Sequence, residues 1–284
     1  MNIATIEQEI ANAEAQVPNL RPGCEKHIVW ADKPATKTAQ VLLNIHGFSA
    51  SPKELHPLPE MIAQDIGANA VYARLTGHGQ DGDALAKATF VEWMNDVAEA
   101  VKVAELLGDE IILMGCSTGC TMAALALASG AQAKACIMVS PNFGLRNWFA
   151  QTILDMPGVR YWGRYVAGKT RNFDPINEGH SAYWTTRYPT EALYPMADAV
   201  RAACQADYSR VTTPTLLVMN EADTVVHPKR TRKVMAGWGG PVTEEIVIAG
   251  PNDDASGHVM AGEVFSPDQT EPLARRISAW LQTL

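Results

Sequence analysis

The chain has 284 residues, 47% of them hydrophobic, so it can bury one large core, and one compact domain is expected. Its formal net charge of −8 argues against a nucleic-acid partner, because binding a phosphate backbone takes clustered Lys and Arg side chains. The five cysteines are odd in number and include no CxxC pair, which favours a reducing compartment.

The N-terminal segment has the spacing of an amphipathic helix. Ile3, Ile6, Ile10 and Val17 recur at helical intervals, with glutamates between them. A signal peptide is not indicated, since the segment lacks both a basic start and an apolar block. No apolar run approaches the roughly 20 residues of a membrane helix. We therefore expect a soluble, cytoplasmic protein without a membrane span.

Short β-rich runs alternate with helical patterns along most of the chain. The predicted strands are 40–45, 69–75, 110–115, 134–140, 213–219 and 244–249. Most of them are apolar throughout, which is typical of strands buried on both faces. The predicted helices are 53–66, 89–107, 118–130, 228–237 and 268–283. This βαβ alternation predicts an α/β fold with a mostly parallel sheet and helices on both faces.

The interval from Pro141 to about Arg210 breaks this alternation. It shows no convincing strand, is rich in aromatic residues, and at roughly 70 residues is too long for a structureless loop. We predict a helical cap insertion at 141–210, which divides the α/β core into residues 1–140 and 211–284. The aromatic residues indicate an apolar substrate pocket, although packing between the helices of the cap explains them equally.

A lone serine lies between two glycines in IILMGCSTGCTM, residues 111–122, where a predicted strand meets a predicted helix. This is the G-x-S-x-G pattern of a nucleophile elbow, formed by Gly115, Ser117 and Gly119. The tight turn holds the serine in a strained conformation and lifts its Oγ above the sheet edge, while the glycines provide clearance. The alternative is a glycine-rich turn with a helix-capping serine.

A serine hydroxyl becomes a good nucleophile only when a base removes its proton. The histidines after Ser117 are His180, His227 and His258. His258 follows the last predicted strand and precedes the last helix, so a loop can place its imidazole over the sheet edge. We predict that His258 is the base and that the other two are surface or packing residues.

The base needs an orienting carboxylate, which the chain order Ser, Asp or Glu, His places between Ser117 and His258. Asp223 follows the strand at 213–219, at the edge where open α/β sheets gather functional groups, and it is the leading candidate. Glu221 is the nearby alternative. Asp253 and Asp254 are expected to be solvated loop acids, because a neighbour in the same loop seldom aligns with the far ring nitrogen.

Two backbone amides are predicted to form an oxyanion hole. Thr118, directly after the nucleophile, supplies the first N–H group. The stretch NIHGFSASPKEL supplies the second, because a strand ends at Ile45 and the His46-Gly47 pair turns the backbone over the site. The amide of Phe48 is the natural donor there.

A competing motif, GHGQDG at 77–82, formally matches the dinucleotide fingerprint G-x-G-x-x-G. Such a fingerprint opens straight into a helix, whereas QDGDALAKAT is interpreted as a loop, with the helix starting near Thr89. The seven histidines show no HExxH motif and no i, i+4 pair, and no cysteine cluster accompanies them. No dinucleotide cofactor and no metal are predicted.

The motif set resembles the α/β-hydrolase superfamily and is most similar to bacterial carboxylesterases and monoacylglycerol lipases. It consists of HGF (46–48), RLTGHG (74–79), GCSTG (115–119), NEADTVV (220–226) and SGHV (256–259). The likeness covers about residues 40–140 and 210–284.

The resemblance implies an eight-stranded, mostly parallel sheet and no cofactor. It also implies a nucleophile, Ser117, with Asp223 and His258 as its partners and the amides of Phe48 and Thr118 as the oxyanion hole. Cys116 departs from the residues more familiar before the nucleophile, and we expect it to be a buried packing residue, like Trp93.

The predicted function is hydrolysis of small or medium acyl or aryl carboxylic esters, with monoacylglycerols among the candidate substrates. The partner is a small-molecule ester. Two alternatives remain open. One is a hydrolase of meta-cleavage type that uses the same three residues to break a carbon–carbon bond beside a ketone. The other is a non-catalytic receptor on this fold, which has no need of Ser117, Asp223 and His258 at these edges.

Overall fold

The computed structural model describes residues 1–156 and 158–284. It contains nine strands. These are β1 (His27–Val29), β2 (Thr38–Ile45), β3 (Asn69–Ala73), β4 (Gly108–Cys116), β5 (Ala135–Val139), β6 (Thr170–Asn172), β7 (Arg187–Pro189), β8 (Thr215–Met219) and β9 (Val242–Ile246). Seven of them form the central sheet in the order β1-β3-β2-β4-β5-β8-β9. β1 is antiparallel to β3, and all other pairs in this sheet are parallel, so the predicted mostly parallel sheet is confirmed.

The sheet has seven strands among the described residues, so the expected count of eight is wrong. Before β2 the chain contributes only the short edge strand β1. The segment ahead of β1 forms a helix with Ile6 and Ile10 buried, as their spacing predicts. Residues committed to that amphipathic helix cannot also supply another strand.

Eleven α-helices accompany the strands in the part of the chain that the structure describes. They are α1 (Ile6–Glu14), α2 (Leu58–Asp65), α3 (Gly82–Lys87), α4 (Phe90–Leu107), α5 (Thr118–Ala128), α6 (Trp148–Asp155), α7 (Val159–Ala167), α8 (Glu178–Tyr183), α9 (Leu193–Gln205), α10 (Pro228–Met235) and α11 (Pro267–Leu281). Within the described residues, none of these helices combines the length and apolarity needed to cross a bilayer.

The sheet separates two hydrophobic cores. Along β2, Val41, Leu43 and Ile45 belong to the core under α4, α5 and α9, while Leu42 belongs to the core under α2 and α11. Side chains of a strand alternate between faces, so a strand that is apolar throughout fills both cores at once. This is why the strong strand signals mark the centre of the sheet.

Four α-helices, α6 to α9, lie between β5 and β8 in the described part of the chain, and two details differ from the predicted helical insertion. β6 and β7 form a small antiparallel ribbon that the sequence pattern does not reveal. α9 lies inside the predicted 141–210 insertion. However, it packs against α5, and its Ala199 and Ala203 belong to the core under α4 and α5. We use the name cap segment for residues 141–156 and 158–192, which lie between β5 and α9 in the chain.

The expectation that the stretch QDGDALAKAT is a loop is wrong, because α3 begins at Gly82. The Asp81 side chain caps it by accepting a hydrogen bond from the Ala84 amide. This helix packs through Leu85 against Tyr188 of β7, which belongs to the cap segment, rather than on β3. It therefore lacks the strand-to-helix packing of a dinucleotide-binding turn.

The carboxyl ends of the parallel strands meet at one edge of the sheet. Ile45, the last residue of β2, lies opposite Gly115 of β4 in the strand register. The loops that follow β2, β4, β8 and β9 thus converge at this edge, and they carry the residues predicted to act together.

Candidate active site

Ser117 occupies the sharp turn between β4 and α5. Its backbone has φ 51° and ψ −114°, a region that residues with a side chain rarely adopt. The turn is held by two hydrogen bonds, in which the Ser117 amide donates to the Val139 carbonyl (2.9 Å) and the Asn142 amide donates to the Ser117 carbonyl (3.1 Å). Ser117 lines a large cavity that is also bordered by the cap segment, and its side chain makes no capping hydrogen bond to α5.

The two glycines of the turn allow backbones to approach each other closely. A Cβ on Gly115 would lie 2.7 Å from the Cys120 amide nitrogen, and one on Gly119 would clash with the Ile45 carbonyl oxygen. Both contacts are with main-chain atoms that cannot rotate away. The packing of α5 against the end of β2 therefore depends on these positions having no side chain.

The Gly119→Ala substitution is expected to destabilise the fold by about 3 kcal/mol, the upper end for overpacking of a well-packed core. The midpoint of urea unfolding measures this change. Gly237→Ala is the matched control, because its Cβ would meet only the Val234 carbonyl oxygen at an ordinary 3.5 Å. Equal stability of the two variants would contradict the close approach of α5 to β2.

His258 and Asp223 are joined by a direct hydrogen bond of 2.8 Å between Nδ1 and Oδ2. The other carboxylate oxygen, Oδ1, accepts the amides of Val225 (2.7 Å) and Val226 (2.9 Å). When the Asp223 carboxylate accepts this bond, Nδ1 of His258 carries the proton, and in the neutral ring Nε2 then keeps its lone pair. This is the tautomer that a general base needs, and His258 lines the same cavity as Ser117.

The loop of His258 is held by its own backbone contacts. Oδ2 of Asp254 accepts the amides of His258 (3.1 Å) and Val259 (2.8 Å), and the Ser140 hydroxyl donates to the His258 carbonyl (2.5 Å). The expectation that Asp253 and Asp254 are solvated is therefore wrong, since both are buried and both accept backbone N–H groups. Their carboxylates order the loop without contacting the imidazole ring's Nδ1.

The structure also places the other three candidates, Glu221, His180 and His227. Glu221 is exposed and forms an ion pair with Arg232 rather than with His258. His180 is buried in the cap segment, where its ring stacks on Phe173, and it also lines the cavity. His227 precedes the first turn of α10.

Phe48 and Thr118, whose amides are the predicted oxyanion donors, both line the cavity. Thr118 is the first residue of α5, so its amide has no acceptor within the helix and lies at the positive end of the helix dipole. Phe48 lies in a turn closed by the Ala50 amide and the Gly47 carbonyl. His46 supports this turn, since its Nδ1 bonds to the Gly47 carbonyl (2.8 Å) and its Nε2 accepts the Leu75 amide (3.1 Å).

The cavity has a volume of about 880 Å³ and a mostly apolar wall. The cap segment contributes Phe149, Ile153, Leu154, Val159 and Val166 to this wall. Among the described residues that line it, Arg171 is the one Lys or Arg side chain. No group of three or more His, Cys, Asp or Glu side chains stands close enough to hold a metal ion in the part of the chain described.

The surroundings of His258 stabilise its protonated form relative to an imidazole in water. Burial alone lowers the pKa of His258, but the hydrogen bond and charge of Asp223, with smaller contributions from Glu54 and Asp254, outweigh it, so the pKa is raised. Burial raises the pKa of the Cys116 thiol well above its usual range, which fits the expected packing role. Trp93 is fully buried, also as expected, and donates from Nε1 to the Thr76 carbonyl.

Glu54 also lines the cavity, and no sequence motif singles it out. It lies in the loop between β2 and α2, seven residues beyond Gly47, whose amide it accepts. The signal present in the sequence is a single glutamate in the loop SASPKEL, which is too common a pattern to indicate a role.

The chain matches known proteins over most of its length. The family model described as serine aminopeptidase, S33, matches residues 36–250. A thermostable monoacylglycerol lipase of Bacillus sp. (strain H-257) is 26% identical over 196 residues, which make up 69% of this chain and 75% of that protein.

Solved structures share the fold. A structure from work on LipS and LipT, two metagenome-derived lipolytic enzymes, has a TM-score of 0.75 at 20% identity and covers 93% of this chain and 100% of its own. A monoacylglycerol lipase of Paleococcus ferrophilus has a TM-score of 0.64 at 15% identity, covering 91% of this chain and 98% of its own. Because the family model spans well over half of its residues, the chain belongs to the serine aminopeptidase S33 family of α/β-hydrolases, and it is a lipase- and esterase-like hydrolase.

Proposed function

We propose that this protein hydrolyses carboxylic esters through an acyl-enzyme on Ser117, with His258 as the base and Asp223 as its orienting carboxylate. The observation that carries the proposal is the 2.8 Å bond between His258 Nδ1 and Asp223 Oδ2, made by a histidine that shares a cavity with Ser117. That bond leaves Nε2 free to accept the serine proton.

The reaction proceeds in two halves. The Ser117 hydroxyl attacks the ester carbonyl as His258 accepts its proton, and Asp223 stabilises the resulting imidazolium. The amides of Phe48 and Thr118 donate to the oxygen that gains negative charge. His258 then protonates the leaving alcohol as its C–O bond breaks. A water molecule repeats the sequence on the acyl-enzyme and releases the acid.

The cavity wall supports an uncharged, apolar acyl or aryl group of small to medium size. The similar Bacillus protein is a monoacylglycerol lipase, and monoacylglycerols combine such a chain with a small alcohol. A peptide N-terminus, the substrate that the family description suggests, would need a free carboxylate for its ammonium group. Glu54 and Asp254, the carboxylates lining the cavity, are both engaged with backbone amides.

A series of p-nitrophenyl esters of increasing chain length tests this proposal, together with a monoacylglycerol and an aminoacyl p-nitroanilide. We expect kcat/KM to rise about fourfold per added CH₂ while the chain still enters the cavity, from about 0.8 kcal/mol per buried CH₂. The anilide should not be turned over. Turnover of vinylogous diketones without turnover of any ester would overturn the proposal in favour of carbon–carbon bond cleavage.

The midpoint of the acid limb of kcat/KM is expected above pH ~6.5, the ordinary pKa of imidazole. The sign follows from the raised pKa of His258, because activity needs the neutral ring and the ring gains a proton as pH falls through that raised value. A profile of kcat/KM between about pH 5 and 9 measures this limb. A flat profile across the neutral range would contradict the role of His258.

A further inference from the structure

Glu54 is a buried carboxyl group at the active site that the mechanism above does not use. Glu54 is 3% exposed, and it borders the cavity that Ser117 and His258 also line. A buried carboxyl group is costly unless it is hydrogen-bonded or paired, so its retention in this position needs a reason. Its contacts point to two separate effects on the site.

The first effect is on the oxyanion loop. Oε2 of Glu54 accepts the Gly47 amide at 2.6 Å, a short bond of the kind that charged acceptors form. Gly47 directly precedes Phe48, whose amide is a proposed oxyanion donor. Donors of this kind act only if they are held in place before the reaction, because the charge they stabilise develops in the transition state. The bond to Gly47 fixes the peptide next to that donor.

The second effect is on the base. The titratable groups that face the Glu54 carboxyl are His258 and the thiols of Cys116 and Cys120. Both thiols stay protonated, since burial raises their pKa values well above the usual range. The interaction that responds to pH is thus between Glu54 and His258. Burial raises the pKa of Glu54 to about 7, while the Gly47 hydrogen bond and His258 oppose this rise.

We propose that Glu54 is a positioning residue for ester hydrolysis, which anchors the oxyanion loop through the Gly47 amide and places a second negative charge, besides Asp223, near the His258 imidazolium. This inference rests on the proposed function of Ser117 and His258. Glu54 does not react with the substrate, and its charge acts through His258 and its hydrogen bond through the Phe48 amide.

Two substitutions separate these effects. Glu54→Met keeps the length of the side chain but removes the acceptor, and we expect it to lower kcat about 10- to 100-fold with KM nearly unchanged, because the oxyanion donor acts in the transition state. Glu54→Gln keeps an acceptor for Gly47 and loses the charge. It should retain most of kcat at alkaline pH and move the acid limb of kcat/KM down by roughly half a unit or more.

Asp96 provides matched controls. It also accepts a backbone amide at 2.6 Å, that of Thr76, and it does not line the cavity. Asp96→Leu and Asp96→Asn should lower the melting temperature while leaving kcat and the acid limb unchanged. Matching kcat losses in Asp96→Leu and Glu54→Met would assign the effect to general destabilisation and overturn the proposal.

Amide hydrogen exchange tests the anchor without any turnover. The Gly47 amide should exchange faster in Glu54→Met than in the wild type and Glu54→Gln, and unchanged protection would overturn the anchoring role. An unmoved acid limb in Glu54→Gln would overturn the electrostatic role. Failure of the proposed function is distinguishable, because it appears as ester turnover that is absent in the wild type or retained after Ser117→Ala.

Discussion

Replacement of Ser117 by Ala is expected to lower kcat for p-nitrophenyl ester hydrolysis by about 10⁵-fold or more. In the proposed mechanism the Ser117 hydroxyl oxygen forms the acyl-enzyme, and the strained turn at φ 51° holds this one hydroxyl in place. The residual rate comes from binding and from the oxyanion amides. Initial rates with a medium-chain ester, measured at high enzyme concentration, give this factor.

Ser129→Ala is the matched control for this prediction. Ser129 caps the opposite end of α5 and is exposed, so its loss should leave kcat and the melting temperature unchanged. The double variant Ser117→Ala, His258→Ala should be no slower than either single variant, because the two groups act as one unit. Additive losses of kcat would mean that His258 does not act through Ser117.

Asp223→Asn is expected to lower kcat by about 10⁴-fold. An Asn amide can donate to Nδ1 of His258, which forces the ring proton onto Nε2, the atom that must accept the Ser117 proton. The fold should be kept, because the Asn side-chain oxygen can still accept the amides of Val225 and Val226. Steady-state kinetics and circular dichroism measure the two outcomes separately.

Glu221→Gln distinguishes the two candidate carboxylates. Glu221 lies two residues before Asp223, but it is exposed and pairs with Arg232. Its substitution should leave kcat unchanged and shift stability by less than about 1 kcal/mol, as for an exposed ion pair. A large loss of kcat in Glu221→Gln, with Asp223→Asn near the wild-type rate, would reverse the assignment.

The sequence predicted the central strands well because their burial is two-sided. β4 is apolar along most of its length, so its signal at 110–115 falls inside the observed Gly108–Cys116. The edge strand β9 was harder to place, since Ile246 and Ile248 are exposed and the apolar pattern extends beyond the paired residues. β1 and the β6–β7 ribbon are three-residue strands, and their pairing depends on tertiary partners that no local pattern encodes.

The residues of the candidate site also fall into two groups, those that the sequence predicts and those that it does not. Ser117, Asp223 and His258 each follow a strand of the parallel sheet, so topology alone predicts that they converge. Glu54 and Asp254 act on backbone amides, and every loop carboxylate has that capacity. The interpretation of Asp254 as a solvated acid was wrong because the fold of the His258 loop, which buries it, is visible only in three dimensions.

The central claim is that Ser117 is the nucleophile and that His258 activates it. Peptide mapping by mass spectrometry after reaction with a fluorophosphonate ester tests it most directly. We predict one phosphonyl group on Ser117, with labelling abolished by Ser117→Ala and strongly slowed by His258→Ala. A phosphonyl group on another residue, or labelling at an unchanged rate in His258→Ala, would contradict the account.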